Sequence, residues 1–422
     1  MAPADIILYI GLIIFISHLF TSFFESTRIP DVLLLIILGI LLNLLGFDPT
    51  PFFISADILF EIALALILFE AGIHLKFNYL YSAIKSSTLL IIGTYCFTII
   101  AIFFLCQYVL MLSFHSSLIL GFIMASISPA VVIPISKSMK ISERMKSNLI
   151  VESTMTDVLS IFFVIALVGY GSNYNNIYML TFLKDFSIVF IKSASIGILA
   201  AILWSYIFDI IRNLPNTIFT SLAFIFILFG VAHYIHTSAP ITVLFFSMII
   251  SIPSNSKIRK IAKKANFTLI EFTQSEKTFY EEILFIIKTF FFVFLGMKMS
   301  YIENIALFTV ILFYIKAIGI TFVIFFIRFL CIKITKPKIS KNKAIVLLAM
   351  VPKGLAAAVL ISFYVNNVNI GLAKSQELIL TTYGVILLSI FVSSALVFIA
   401  EKRIKKEKSD IDSKITDLDT LP

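Results

Sequence analysis

The sequence has little charge. Only 14% of its 422 residues are Asp, Glu, Lys or Arg, against about a quarter in soluble domains, while 60% are hydrophobic and the mean hydropathy is +1.05. That balance excludes an ordinary globular enzyme and a disordered chain, and it leaves a polytopic membrane protein. Cysteine is scarce as well: Cys96, Cys106 and Cys331 lie in apolar stretches at spacings that suit neither a disulfide framework nor a metal site. No His-Glu-x-x-His pattern occurs, and His18, His74, His115, His233 and His236 are scattered, so nothing points to an intramembrane enzyme or to a cofactor. No Lys or Arg precedes the first apolar run and no small-residue cleavage site follows it, so that run reads as a retained span, not a signal peptide.

What the sequence does have is long apolar runs. A membrane-spanning helix takes about 20 mostly apolar residues, and segments of this kind recur at roughly 6–24, 31–47, 57–75, 87–111, 117–138, 148–170, 186–209, 217–234, 239–253, 282–299, 302–331, 344–365 and 377–400. The expected fold is therefore all-α, with about 13 transmembrane helices. With the basic C-terminal tail in the cytoplasm, an odd span count puts the N-terminus outside. Only Lys184, Lys298 and Lys374 then fall in outer loops and Lys192, Lys288, Lys316 and Lys353 inside spans; every other Lys and Arg, Arg328 among them, is assigned to the cytoplasmic side. Such asymmetry is the positive-inside pattern. It also assigns the net charge of +9 to membrane topology, not to nucleic-acid binding. The one long loop, 254–280, reads as a cytoplasmic connector lying on anionic headgroups. Residues 409–422 read as a short disordered cytoplasmic tail after a transmembrane domain at 1–408.

Ionisable groups inside spans cost on the order of 3 kcal/mol on insertion scales, so each is a functional candidate. They are Glu61, Glu70, Glu152, Asp157, Lys192, Lys288, Lys316 and Lys353, of which Glu61 and Lys192 lie near enough to span ends to reach an interface. In the sixth span, helical spacing puts Ser153 and Asp157 on one face and Glu152 and Thr156 on an adjacent one; Glu152 and Asp157 point about 140° apart. One acid can thus face a solvent cavity while the other packs against a neighbouring helix.

Two spans are interrupted near their middle, at Ser126-Ile127-Ser128-Pro129 and at Val351-Pro352-Lys353-Gly354. Proline removes a backbone donor, and unwound backbone at membrane depth is tolerated only where protein buries it or a cavity is lined by it. The breaks fall in spans 5 and 12. Spans at about 6–170 and 217–400 then form two six-helix repeats joined by a linker helix at about 186–209, the second repeat inverted relative to the first. Matching breaks in two inverted halves point to a transporter with an ion site at the midplane.

Several of these stretches, in order and covering nearly the whole chain, resemble the monovalent cation/proton antiporters, the family of the sodium/proton exchangers. Glu152-Ser153-Thr154-Met155-Thr156-Asp157 is similar to the family's Glu-Ser-x-x-Asn-Asp signature, Leu68-Phe69-Glu70-Ala71-Gly72 to its Phe-Glu-Gly segment, Ser128-Pro129 to its Asp-Pro break, Lys316-Ala317-Ile318 to its Arg-Ala-Ile segment, and Pro352-Lys353-Gly354 to its Arg-Gly. Thr156 stands where the family has Asn, Ile127 and Ser128 where it has Thr and Asp, and two lysines where it has arginines, which keeps charge but gives up bidentate pairing.

The resemblance implies antiport by alternating access, with Asp157 binding either a proton or a hard monovalent cation, Na+ or possible substitutes K+ and Li+. Ser153, Thr156, Ser128, Ile127 and Glu70 would complete the ion site. It implies a structural ion pair between Glu152 and Lys316, and Lys353 and Lys288 with Pro129 as charges and break at the cavity. It further implies a homodimer, electroneutral exchange and a prokaryotic plasma or inner membrane. Two other readings use the same features: a proton-conducting subunit of a larger respiratory-type complex, and a cation channel.

Overall fold

Each apolar segment is helical over most of its described residues. The computed structural model describes residues 3–27, 31–45, 56–74, 88–139, 141–169, 179–211, 218–235, 237–252, 273–300, 307–335, 339–368 and 370–419. The helices are α1 (Pro3–Thr27), α2 (Asp31–Leu44), α3 (Ala56–His74), α4 (Thr88–Phe104), α5 (Phe114–Ala125), α6 (Pro129–Ser138), α7 (Glu143–Gly169), α8 (Met179–Ile211), α9 (Ile218–Tyr234), α10 (Ala239–Ile250), α11 (Gln274–Ser300), α12 (Leu307–Thr335), α13 (Lys341–Ala349), α14 (Leu355–Asn367) and α15 (Leu372–Asp419). Among the described residues six helical stretches are long and apolar enough to cross a membrane: Leu89–Val109, Phe114–Ser136, Glu143–Val168, Ser187–Phe208, Leu312–Thr335 and Lys374–Arg403. Ile7–Phe23, Asp31–Leu44, Phe219–Tyr234, Ala239–Ile250 and Leu355–Asn367 are shorter apolar helices. Most of the 254–280 connector lies outside the described residues.

The tail departs from expectation. α15 continues to Asp419, so residues 409–419 are helical instead of disordered. The sequence there holds four Asp and two Ile and no Gly or Pro, and nothing in it stops a helix already nucleated by the apolar segment before it.

Packing divides the helices into two groups. In one, α2 lies against α11 and α1, and α10 against α3, α8 and α9; in the other, α4 packs on α5 and α12, α7 on α5 and α6, and α15 on α12, α13 and α14. The groups meet where α3 touches α7 and α14 and where α11 touches α14. Small residues allow the closest approaches. A Cβ on Gly39 would stand 1.9 Å from the Val293 carbonyl oxygen, and one on Gly296 2.1 Å from that of Ile36, so α2 and α11 meet backbone to backbone.

Two connections position the site. The helical path stops at Ala125, runs extended through Ser126 and Ser128, and restarts at Pro129, which fills a position where its missing N–H costs nothing. It stops again at Ala349 and restarts at Leu355 after Met350–Gly354. The two unwound segments cross: Ser128 N–H donates to the Pro352 carbonyl at 2.9 Å, and a Cβ on Gly354 would sit 2.1 Å from Ser128 Oγ. Only glycine fits there.

Candidate functional site

α7 carries the central residues. Its Asp157 is 4% exposed and lies in the wall of a cavity of about 790 Å³. Glu70 from α3, Lys288 from α11, and Ser128 and Pro129 at the first crossing segment share that wall. Glu143 and Lys146, at the N-terminal end of α7, also line it and pair with each other at 2.8 Å. Ser153, Thr156 and Ile127 are absent from the wall among the described residues. They brace it from behind: Ser153 Oγ donates to the Ile150 carbonyl at 3.0 Å, Thr156 Oγ1 donates to the Glu152 carbonyl at 2.9 Å, and Ile127 N–H donates to Thr156 Oγ1 at 3.3 Å. The last bond ties the first crossing segment to α7 one residue before Asp157.

Glu152 points away from the cavity, as the helical spacing requires. Its partner is not Lys316. Arg328 of α12, 0% exposed, holds it in a bidentate pair, Nη2 to Oε2 at 2.9 Å with Nη1 on Oε1. The guanidinium is further fixed by Thr94 Oγ1 at 3.2 Å and the Leu347 carbonyl at 3.0 Å. Buried charges need matched partners and filled donors, and the planar guanidinium meets both oxygens where an ammonium meets one. Lys316, more than three turns earlier on the same helix, pairs with Glu377 of α15 instead and lies 5.9 Å from the Phe313 ring centroid. Arg328, assigned from sequence to the cytoplasmic side, is thus a core residue. Its signal was the apolar run that continues past it, Phe329-Leu330-Cys331-Ile332. Glu377 and Asp31 were also missed, each standing at the first turn of its apolar segment.

Lys353 is buried at the second crossing segment. Its Nζ donates to the Ser126 carbonyl at 2.6 Å, the first residue beyond α5, and its N–H donates to Ser389 Oγ at 2.9 Å. A cation at a helix C-terminus meets the negative end of the macrodipole and its unpaired carbonyls. Lys288 pairs with Glu70, its Nζ 3.3 Å from both carboxylate oxygens. Asp31 lines the same cavity and accepts from the Val32 N–H at 2.9 Å. Thr289, adjacent to Lys288, is buried in the wall, and its hydroxyl has no partner among the described residues.

The arrangement is a buried carboxylate in the wall of a cavity, beside two crossing unwound segments, with the C-terminal end of α5 met by Lys353. It offers oxygen ligands and charge and, among the described residues, no nucleophile paired with a base. Two solved structures of the sodium proton antiporter MjNhaP1 from Methanocaldococcus jannaschii share this fold. The one at pH 8 has a TM-score of 0.70 at 19% identity, covering 95% of this chain and 99% of that one. The one from an electron-microscopy map has a TM-score of 0.68 at 18% identity, covering 96% and 98%. No curated protein matches the sequence. The family model for the transmembrane sodium/hydrogen exchanger matches residues 11–401, and with nearly the whole chain inside that match, the protein belongs to the sodium/hydrogen exchanger family.

Proposed function

We propose that the protein exchanges a monovalent cation, Na+ first among Na+, K+ and Li+, for protons by alternating access, the two ions competing for the carboxylate of Asp157. Family membership makes the chain a multi-pass membrane transporter and not an enzyme. The observation that carries the finer reading is the position of Asp157, a buried acid on α7 that lines the cavity with no ion-pair partner among the described residues, while Glu143 on the same helix pairs with Lys146 and Glu152 is held by Arg328. A carboxylate left without a cation partner at the end of an aqueous path is free to take one from solution or to take a proton. Since both use the same oxygens, binding of one excludes the other, and competition is the coupling.

Ser128, whose hydroxyl shares the wall, supplies a neutral oxygen, and the Ile127 carbonyl and the spare lone pairs of Ser153 and Thr156 complete the shell as the crossing segments shift. Glu70 shares the cavity wall, paired with Lys288. In the proposed topology thirteen spans form two inverted six-helix repeats, the N-terminus lies outside and the C-terminus inside, and two copies form a homodimer in a prokaryotic plasma or inner membrane. The repeat reading is supported by the contacts: α2 on α11 and α10 on α3 are the same pair of helices exchanged between halves.

The test is proton flux in proteoliposomes on adding Na+, Li+ or K+ in turn. Wild type should move protons with at least one cation, and its half-saturating concentration should rise as the pH falls, because protons compete. Asp157→Asn should reduce the flux to the protein-free background. Flux that survives the substitution would place the binding carboxylate elsewhere.

A further inference from the structure

The cavity wall carries the acids Asp31, Glu70, Glu143, Asp157 and Glu281 and the bases Lys146 and Lys288, an arrangement that simple competition at Asp157 does not explain. Asp157 and Asp31 have no ion-pair partner among the described residues, Glu143 is neutralised by Lys146, and Glu70 is held by Lys288. Lys288 and Glu70 are 22% and 26% exposed, neither sealed in the core nor free in solvent. Both lie on the group of helices opposite α7, and both are within electrostatic reach of Asp157, with opposite sign. Lys288 Nζ stands 3.3 Å from each Glu70 oxygen, so it straddles the carboxylate and occupies the space from which Glu70 would otherwise present its oxygens to a cation.

An ammonium is a compact, hydrated point charge on a flexible stem. In this position it is a cation fixed to the protein. With the pair intact the far wall is close to neutral toward Asp157. Without Lys288 that wall would carry a full negative charge, and without Glu70 a full positive one. At an effective dielectric of about 20, unit charges several ångströms apart interact strongly enough to change an ion affinity by about tenfold or more.

We propose that Lys288 is a tethered counter-cation that sets the affinity of the site for the transported cation by neutralising Glu70, and that Glu70 consequently acts as the partner of Lys288 and not as a direct ligand of the ion. The inference rests on Asp157 being the binding carboxylate. It makes Lys288 a positioning and specificity residue: weak binding keeps release fast when the cation concentration is high, and the tether prevents a second cation from settling at Glu70.

The experiment measures the half-saturating cation concentration for proton flux in proteoliposomes, with flux at saturation recorded separately, for Lys288→Met, Glu70→Gln, the double variant and Lys288→Arg. Lys288→Met should lower the half-saturating concentration by about tenfold, because Glu70 is left as bare negative charge. Glu70→Gln should raise it by a similar factor. The double variant should return to within about threefold of wild type, and Lys288→Arg, which keeps the charge, should stay near wild type.

A purely structural pair would change stability and saturating flux but not move the two single variants in opposite directions. If the double variant stays as weak as Glu70→Gln, Glu70 is itself a ligand and the inference fails. It fails too if Lys288→Met leaves the half-saturating concentration unchanged or raises it. Should Lys288→Met not fold, Lys288→Gln carries the same expectation, and loss of flux in every variant, Lys288→Arg included, also overturns the inference. Failure of the underlying reading looks different: the Asp157→Asn protein would then retain cation-dependent flux whatever the result at positions 70 and 288.

Discussion

Glu152 and Asp157 lie little more than one turn apart on α7, and their surroundings give them opposite jobs. Glu152 has both oxygens filled by the Arg328 guanidinium, which also reaches Thr94 and the Leu347 carbonyl, so the two charges are matched and four of the five guanidinium N–H groups are engaged. Removing one member of such a buried pair strands the other, which costs about 3–5 kcal/mol, whereas replacing both by apolar residues of similar volume is often neutral. Glu152→Gln should therefore lower the melting temperature of the detergent-extracted protein sharply, and Glu152→Leu with Arg328→Met should recover most of the loss. If the double variant melts no higher than the single, the pair itself stabilises the fold. The sequence predicted that Glu152 faces away from Asp157, since helical spacing settles that angle. It did not predict the partner, because Lys316 and Arg328 lie on the same helix and only the tertiary packing of α12, which lies on α4, α13 and α15, decides which one arrives. Charge bookkeeping misled as well, since Arg328 near a span end reads as an inside-facing anchor until the packing around it is known.

At the level of elements, the two interruptions were legible because Pro129 and Pro352 sit in the middle of apolar runs, where nothing but a break accommodates them. Their mutual contact was not, since sequence gives the position of each break and not the crossing. On the proposed repeat, the Glu152-to-Thr156 stretch corresponds to the Glu377-to-Thr381 stretch, each the same distance along the chain from its break, and each glutamate pairs with a cation of α12. The correspondence has one flaw. Thr156 Oγ1 accepts from the Ile127 N–H, while Ile127's counterpart is Pro352, which has no N–H to give, and Thr381 Oγ1 is buried without a partner among the described residues. Thr156→Val should cost about 1–3 kcal/mol, since a buried N–H loses its acceptor; Thr381→Val, which removes an unsatisfied hydroxyl, should be neutral or stabilising. Melting curves of the two variants provide the comparison, and equal losses would mean that Thr381 is not the unpaired counterpart of Thr156.

The whole molecule is two groups of helices with the cavity between them. Asp157, Ser128 and Pro129 belong to one group; Glu70, Lys288 and Asp31 belong to the other. A site divided in this way changes its access when the groups move relative to each other, and the compensated crossing, fixed by Ser128 to Pro352 and by Lys353 to Ser126, travels with its own group. The cavity reaches the N-terminal end of α7, where Glu143 and Lys146 line it, and in sequence that end belongs to the basic stretch with Lys137, Lys140 and Arg144 assigned to the cytoplasm. On the proposed topology the cavity opens toward the inside. Ser147 lines the cavity and is part-buried, so a cysteine there, in a background with Cys96, Cys106 and Cys331 replaced, samples the path directly. Ser147→Cys should react with a membrane-impermeant thiol reagent in inside-out vesicles and be protected in right-side-out ones. Saturating cation should slow the reaction by favouring closure over the open state, and it should not do so when Asp157 is replaced by Asn, because the ion then has no site from which to bias the two states. Equal labelling from both sides would instead describe an open pore, the property of a channel and not of an exchanger.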